Sequence, residues 1–251
     1  MDTGPVTVRS SRLAIAALVV ALIALVVAAL ALVDDDEDAA PAPSPSPSTN
    51  VSTNASTTST TEATATTRTE VDPASAVFPD ATTSRRFDDP AAATRAFATE
   101  LLRFNAPLVG ELRAGDGRSG EIDVRAFEGG VATTVLVRQV EDGTWFILGA
   151  VAESIRLEVP EAGDRLLSPH SLRGEAHAFE GNVVVHLYAD GLAEPIGEAF
   201  VTGRGDGELG EFSGTISFEV PDGATSGVLV LFEPSAQDGS TVAATVVRVH
   251  F

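Results

Sequence analysis

The strongest hydrophobic pattern in the chain is an uninterrupted apolar run over residues 13–33. Its twenty-one residues include no polar side chain and no proline. At about 1.5 Å per residue, a helix of this length spans roughly 31 Å, close to the roughly 30 Å hydrocarbon core of a bilayer. The run therefore predicts a single transmembrane helix over residues 13–33 that contacts the lipid bilayer.

The charges on either side of this run predict its orientation. Arg9 and Arg12 precede it, and five consecutive acidic residues follow at 34–38. Because basic residues are retained in the cytoplasm, residues 1–12 are expected to form a cytoplasmic N-terminus. The rest of the chain, residues 34–251, is then expected to lie on the outer side of a bacterial cell membrane.

A cleavable signal peptide is the alternative reading of the same run, because Ala29-Leu30-Ala31 is an acceptable cleavage site. A signal-peptide core has roughly 7–15 apolar residues, fewer than this run contains, so the pattern favours an uncleaved signal-anchor. The chain contains no Cys, which excludes a lipoprotein anchor. Both remaining alternatives export the C-terminal part of the chain.

Polar and small residues dominate the next stretch, residues 34–86, which includes a Pro/Ser repeat at 41–48 and a long Thr/Ser/Ala tract. Its apolar content is too low to offset the entropy lost on ordering, so we predict a disordered Ser/Thr/Pro-rich linker over residues 34–86. The exported residues carry 35 acidic and 14 basic side chains. Such an acidic surface repels nucleic acid, and no nucleic-acid partner is expected.

A helix pattern begins at Asp89-Pro90, where Asp is a favoured N-cap and Pro a favoured first helical residue. Phe97, Leu101 and Phe104 then follow at a spacing that places them on one helix face. Three runs typical of strands come next, at residues 120–127, 131–139 and 143–151, separated by Gly-containing turns. The pattern predicts a small α+β domain over residues 87–154, in which one helix packs on an antiparallel meander.

From residue 155 onward, about seven short strands alternate with turn signals, which is typical of a β-sandwich over residues 155–251. Residues 172–179 and 183–188 are predicted to form a hairpin, and Ile216, Phe218 and Val220 to alternate along one strand. Residues 227–232 are almost entirely apolar, as expected for a central strand buried on both faces. The fold class predicted for the whole chain is therefore mostly β.

Three segments of this C-terminal region carry a resemblance to a known family. They are an S-P-x-x-x-x-G stretch leading to Phe179-Glu180 within residues 166–183, a G-E-F-S stretch within 210–218, and a D-G-S turn within 235–240. In this order they resemble the immunoglobulin-like domain of bacterial spore germination proteins, over about residues 155–251. The resemblance implies an exported, envelope-associated immunoglobulin-like sandwich without known catalytic residues, related to germination or to the cell wall.

Candidate chemistry is sparse. Residues 87–154 contain no His, Tyr, Cys or Lys, and Trp145 is expected to close the core rather than to bind a ligand. The Arg138-Gln139 pair is expected to face solvent. The patterns of nucleophile elbows, zincins and P-loops are absent from the sequence. We therefore predict no catalytic residue and no cofactor-binding residue, and expect that the chain is not an enzyme.

Two metal-site hypotheses were weighed. His177 and His186 could face each other across residues 180–182 with Glu175 as the nearest further ligand, but a zinc site needs more ligands than these. His170 and His250 lie on other strands. The Gly- and carboxylate-rich loop at 203–208 could bind Ca²⁺, but its spacing differs from that of an EF-hand loop. We predict no metal site.

These features predict a membrane-anchored extracytoplasmic protein that binds or scaffolds an envelope protein or wall component without catalysis. The alternative is an extracytoplasmic sensor or accessory subunit of a membrane complex that acts through the membrane helix. About twelve residues precede that helix, which is too few for a signalling domain.

Overall fold

The computed structural model describes residues 75–80 and 82–251. The predicted transmembrane helix at 13–33 and most of the predicted linker at 34–86 lie outside the described residues. Within the described ranges, no helix is both long enough and apolar enough to cross a membrane.

The described residues form one α-helix and twelve strands, so this part of the chain is mostly β, as predicted. The helix, α1, spans Pro90–Glu100. The strands are β1 (Leu108–Val109), β2 (Arg113–Asp116), β3 (Ser119–Arg125), β4 (Thr133–Gln139), β5 (Trp145–Ala152), β6 (Ile155–Val159), β7 (His170–Ala176), β8 (Asn182–Ala189), β9 (Gly197–Thr202), β10 (Gly210–Ile216), β11 (Ser226–Pro234) and β12 (Thr241–His250).

Helix α1 starts where the sequence predicts. The Asp89 carboxylate accepts hydrogen bonds from the backbone N–H groups of Ala91 and Ala92, at 3.4 and 2.9 Å, and Pro90 occupies the first helical position. The cap satisfies donors that have no partner within the helix. Phe97 is fully buried against the sheet, which confirms the predicted packing of the helix on the meander.

Eight strands form one antiparallel path in the order β1-β3-β4-β5-β12-β11-β8-β9. Strands β6, β7 and β10 form a second group with β7 in its centre, and Ala152 of β5 pairs with Ile155 of β6 in the tight turn that joins the two groups. The predicted boundary between residues 87–154 and 155–251 falls in this turn. Ala150 of β5 and Val246 of β12 also pair, so backbone pairing joins the two predicted domains.

The second group packs against one side of β12-β11-β8-β9, so that β6–β12 form two facing sheets, as the sandwich prediction requires. Their shared core is mainly apolar, and the buried polar side chains of Thr245 and Glu233 are hydrogen-bonded within it. Its buried residues include Ile155, Leu172, Val185, Leu187, Ile216, Leu229, Leu231 and Val249. The near-continuous apolar strand β11 lies in the middle, with both of its faces buried, as predicted.

A second core lies on the other side of the same strands. Helix α1 and strands β3–β5 contribute Phe97, Ile122, Val135 and Ile147, and β11 and β12 contribute Val228, Val230, Ala244 and Val246. Trp145, 9% exposed, closes this core as predicted. The helix unit and the sandwich are therefore joined by shared packing as well as by backbone pairing.

The predicted hairpin between residues 172–179 and 183–188 is wrong. Strand β7 pairs with β6 and β10, whereas β8 pairs with β9 and β11. The chain crosses from one sheet of the sandwich to the other through a 3-10 turn at Phe179–Gly181, where Glu180 and Gly181 have φ values of 55° and 73°. Alternating apolar residues are needed in both arrangements, so the pattern alone does not distinguish them.

Two further boundaries differ from the sequence prediction. The strand expected around Ile216, Phe218 and Val220 lies earlier, at Gly210–Ile216. Phe218 is still buried, but its backbone N–H donates to the Ser168 side chain at 2.9 Å instead of to a strand. The alternation of apolar residues therefore continues beyond the last hydrogen-bonded residue of the strand.

The folded region also begins before residue 87. Ala76 and Val77 are buried, the Val77 N–H donates to the Ile147 carbonyl at 2.8 Å, and Phe78 forms a β-bridge with Ile147. This short apolar segment is surrounded by polar residues, and the composition of the predicted linker as a whole concealed it. Strands β1 and β2 were also not predicted, because they are short and largely exposed.

Candidate functional site

The strands β12-β11-β8-β9 have two different sides. We call the side that faces β6, β7 and β10 the inner face, and the opposite side the outer face. On β8 alternate residues point to the inner face, and Val184, His186 and Tyr188 point to the outer face. Because β9 pairs with β8, Glu198 lies beside His186 and Phe200 lies beside Val184.

The C-terminal end of α1 covers only part of the outer face and leaves a groove beside it. Two adjoining cavities of about 170 and 230 Å³ form this helix–sheet groove. Residues that line both cavities are Leu101, Arg103, Tyr188 and Ala193. The smaller cavity extends towards Phe78, Asp190 and Val228, and the larger one towards His186, Glu194, Glu198 and Phe232.

A histidine and the only tyrosine of the chain form a polar pair on the floor of the groove. The His186 Nδ1 and the Tyr188 hydroxyl oxygen are 3.1 Å apart, within hydrogen-bonding distance. The Phe232 ring meets the imidazole edge-on, with the ring centroids 5.0 Å apart. The Glu198 carboxylate lies 3.9 Å from Nε2, which is an ion-pair distance but too long for a hydrogen bond.

The surroundings of this pair keep both groups neutral near pH 7. Burial lowers the pKa of His186, and the nearby Glu198 carboxylate opposes that shift. Burial raises the pKa of Tyr188, and the Arg103 guanidinium opposes it. An activated nucleophile needs a lowered pKa and an adjacent base that a third group orients. The Tyr188 pKa shifts the other way, so the pair is suited to hydrogen-bonding a ligand.

A buried ion pair holds the wall of the smaller cavity. Two guanidinium nitrogens of Arg248 donate to the two carboxylate oxygens of Asp190, and Arg248 and Asp190 also share the Ser226 hydroxyl. The side chains of Arg248 and Asp190 are only 5% and 13% exposed. Asp190 directly follows β8, so this pair fixes the start of the loop that leads to β9.

The opposite wall of the groove is formed by the end of α1. Arg103 follows the helix with φ at 62°, in the left-handed region that L-residues rarely adopt. Its backbone carbonyl accepts a hydrogen bond from the Thr241 N–H at 3.5 Å, which ties the helix end to β12. Arg103 is exposed, and it is the only basic residue among the described residues that line the two cavities.

The structure does not bring His177 and His186 together. His186 lies on β8, whereas His177 follows β7 in the other sheet, where its N–H donates to the Ser154 carbonyl at 2.9 Å. His170 begins β7, seven residues before His177, and His250 ends β12. Among the described residues, no three His, Asp, Glu or Cys side chains are grouped closely enough to hold one metal ion.

The other residues weighed from sequence have structural contacts. In the loop at 203–208, Arg204 pairs with Asp206 and Glu208, and the Arg204 hydrogen bond is the main cause of the lowered pKa of Asp206. Arg138 donates to Asp116 at 3.0 Å, and Gln139 donates to the Gly143 carbonyl at 2.9 Å. These side chains hold turns and neighbouring strands in place.

Sequence reasoning missed the groove because its residues come from separate parts of the chain: α1, β8, β9 and the connection between the two strands. One local signal was present. His186 and Tyr188 are two residues apart on a predicted strand, so both point to the same face. Which face that is, and that α1 leaves it partly open, depends on tertiary packing.

The three segments singled out from sequence serve the fold. A Cβ added at Gly174 would lie 2.1 Å from the Arg156 carbonyl oxygen and 2.7 Å from the Phe212 ring, so only glycine fits there. Gly174 comes from the first segment and Phe212 from the second, and the two residues pair directly across β7 and β10. In the third segment, the Asp238 carboxylate accepts the N–H and the hydroxyl of Ser240 and closes a turn.

Part of this arrangement is similar to a known family. Residues 154–240 match the family model of the immunoglobulin-like domain of bacterial spore germination. The match covers about a third of the chain, from the β5–β6 turn to the end of the turn before β12. No curated protein and no solved structure gives a significant match to the chain.

The helix–sheet groove lies partly outside the matched region. The immunoglobulin-like domain supplies the floor with β8, β9 and β11, whereas α1 and residues 77–80 supply one wall from outside residues 154–240. The groove is therefore a feature of this chain's combination of the two parts, and the family match by itself does not assign it.

Proposed function

We propose that the chain is a membrane-anchored, extracytoplasmic, non-catalytic binding or scaffolding protein of the bacterial cell envelope, related to germination or to the cell wall. The observation that carries the proposal is the helix–sheet groove on the outer face of the immunoglobulin-like domain. It offers neutral hydrogen-bonding groups and exposed apolar surface. The apolar run at 13–33 and the charges that flank it support the anchor and its orientation.

The chemistry of the groove is suited to hydrogen-bonding a ligand. Burial raises the pKa of Tyr188, which disfavours its phenolate as a nucleophile, and the Glu198 carboxylate lies 3.9 Å from His186, beyond hydrogen-bonding distance. The well-packed core between the sheets provides a rigid support for an exposed surface.

The absence of Cys permits a direct test of location, because one introduced thiol is the only thiol in the chain. Gln237 is exposed in the turn before β12, and Ser11 lies in the predicted cytoplasmic segment. In intact cells, a membrane-impermeant maleimide should label the full chain with Gln237→Cys and leave the chain with Ser11→Cys unlabelled until the cells are permeabilised. Labelling of Ser11→Cys alone in intact cells would overturn the proposed orientation.

Binding is tested by placing a photo-crosslinking residue at two equally exposed apolar positions. Phe200 on β9 and Leu167 before β7 are both 73% exposed. A crosslinker at Phe200, on the outer face, should yield a discrete adduct with an envelope component in living cells, and the same crosslinker at Leu167 should yield much less. Equal or absent adducts at both positions would contradict a binding role for the outer face.

A further inference from the structure

The outer face carries an apolar row that no described residue fully covers. Phe232, Val184 and Phe200 are direct neighbours across β11, β8 and β9, and exposure rises along the row to 73% at Phe200. Exposed aromatic side chains next to a cavity are typical anchor points of protein interfaces. The row therefore continues the helix–sheet groove towards the edge of the sheet.

The next row across the same three strands includes a polar and an acidic residue. Val230, His186 and Glu198 are neighbours across the same three strands, two residues further along each of them. The two rows are therefore separated by roughly 7 Å, the distance between residues i and i+2 of an extended chain. One extended segment lying along the strands would place two of its side chains on these two rows.

The groove is divided into two small cavities. Taken singly, the adjoining cavities of about 170 and 230 Å³ are each smaller than the roughly 300–1,000 Å³ of sites that enclose small molecules. Each suits one inserted side chain from a larger partner, which is how hot-spot residues commonly dock.

The charges around the groove favour a partner with a positively charged side chain. Beside the smaller cavity, Glu100 and Asp190 are paired with Arg85 and Arg248, and Asp80 accepts hydrogen bonds from Thr82. Glu194 and Glu198 are the carboxylates that line the larger cavity. The Glu198 side chain is 67% exposed. Arg103 offsets part of this charge but not all of it. A second copy of this chain, with net charge −20, would bring the same sign to the face and is disfavoured.

We propose that the outer face docks an extended segment of a partner protein that presents an apolar side chain and a basic side chain two positions apart. The apolar side chain covers the row ending at Phe200. The basic side chain enters the larger cavity between Glu194 and Glu198, where the rings of Tyr188 and Phe232 add cation–π attraction. This inference rests on the proposed binding function and names the chemistry of its partner.

Three short capped peptides test the inference: Ser-Phe-Ser-Arg-Ser, Ser-Phe-Ser-Glu-Ser and Ser-Phe-Arg-Ser-Ser. The first peptide has the proposed spacing and charge, the second reverses the charge, and the third changes the spacing. Each is titrated into the ¹⁵N-labelled full chain in detergent micelles, and the dissociation constant is read from amide shifts. The first peptide should bind about three- to fivefold more tightly than the other two, the range expected of partly exposed charge pairs. The shifts should centre on β8, β9 and residues 101–103.

The double variant Glu194→Gln/Glu198→Gln should abolish the preference for arginine over glutamate. A double variant of two exposed acids outside the groove, Glu161→Gln/Glu219→Gln, should retain it. Equal binding of all three peptides, no binding of the first, or a preference that survives Glu194→Gln/Glu198→Gln would overturn the inference. If the crosslinker at Phe200 still captures an envelope component in these cases, the proposed function stands and only the partner's chemistry is wrong.

Discussion

The two faces of the β12-β11-β8-β9 sheet differ sharply although they belong to the same strands. The inner face is closed by a second sheet and buries mainly apolar side chains, with Thr245 and Glu233 as buried polar exceptions that are hydrogen-bonded to the facing sheet and its connection. The outer face is covered over β11 and β12 by the core that these strands share with β3–β5 and α1, contains the Arg248–Asp190 ion pair, and opens over β8 and β9. The inner face therefore provides a rigid support, whereas the outer face presents most of the polar groups that a partner could contact.

The largest effect is expected from breaking the ion pair on the outer face. Asp190→Ala leaves the Arg248 guanidinium buried without its carboxylate, and removing one member of a buried pair typically costs about 3–5 kcal/mol. The free energy of unfolding, measured in urea by Trp145 fluorescence, should fall by that amount. The double variant Asp190→Leu/Arg248→Met, which removes both charges, should recover most of the loss. A double variant as unstable as Asp190→Ala would show that the loss is not due to an unpaired charge.

The next effect concerns the apolar inner face. Leu229 is fully buried there, and Leu229→Ala should lower the free energy of unfolding by about 2–5 kcal/mol, because it removes transfer energy and leaves a cavity. Phe200 on the outer face is 73% exposed, and Phe200→Ser should change it by less than about 0.5 kcal/mol. Urea unfolding of both variants measures the contrast. A large loss for Phe200→Ser would mean that another part of the protein covers the outer face.

Much of this contrast was readable from the sequence. The apolar run at 227–232 predicted a strand with both faces buried, which is β11, and a strand was also predicted over residues 183–188, which lie in β8. The N-cap at Asp89 and the face of Phe97 predicted α1 and its packing. The pairing of the strands could not be predicted from the sequence. The pattern of residues in Val183–Tyr188 is the same whether the strand belongs to a hairpin or follows a crossing between sheets. The groove depends on that pairing and on where α1 ends.

A substitution of Arg103 tests the open part of the outer face. The positive φ of Arg103 costs a non-glycine residue about 1 kcal/mol or more, and glycine at this position removes that cost. Glycine is also more flexible in the unfolded chain, which lowers the free energy of unfolding by a similar amount. Arg103→Gly should therefore change the free energy of unfolding by less than about 1 kcal/mol. It removes the positive charge from the groove, so the Ser-Phe-Ser-Arg-Ser peptide should bind more tightly. Weaker binding of that peptide would show that Arg103 contacts the ligand directly instead of repelling it.

The smallest effect is a dependence of stability on pH. Burial places the pKa of His186 below its ordinary value of about 6.5, so the unfolded chain binds a proton more readily than the folded chain. The contribution is fully present above about pH 6.5 and is lost as the pH falls through the lower folded pKa. Between pH 7.5 and 5, His186→Gln should lose less stability than the wild type. Parallel curves for the wild type and His186→Gln would contradict the burial of this imidazole.

The most direct test of the difference between the two faces uses neighbouring residues on one strand. Val184 points to the outer face and is partly exposed, whereas Val185 points to the inner face and is fully buried. In the otherwise Cys-free full chain, a maleimide should label Val184→Cys without denaturant, and the Ser-Phe-Ser-Arg-Ser peptide should slow that labelling. Val185→Cys should react only after unfolding. Equal labelling at both positions, or labelling of Val184→Cys that the peptide does not slow, would contradict the account of an open, partner-binding outer face.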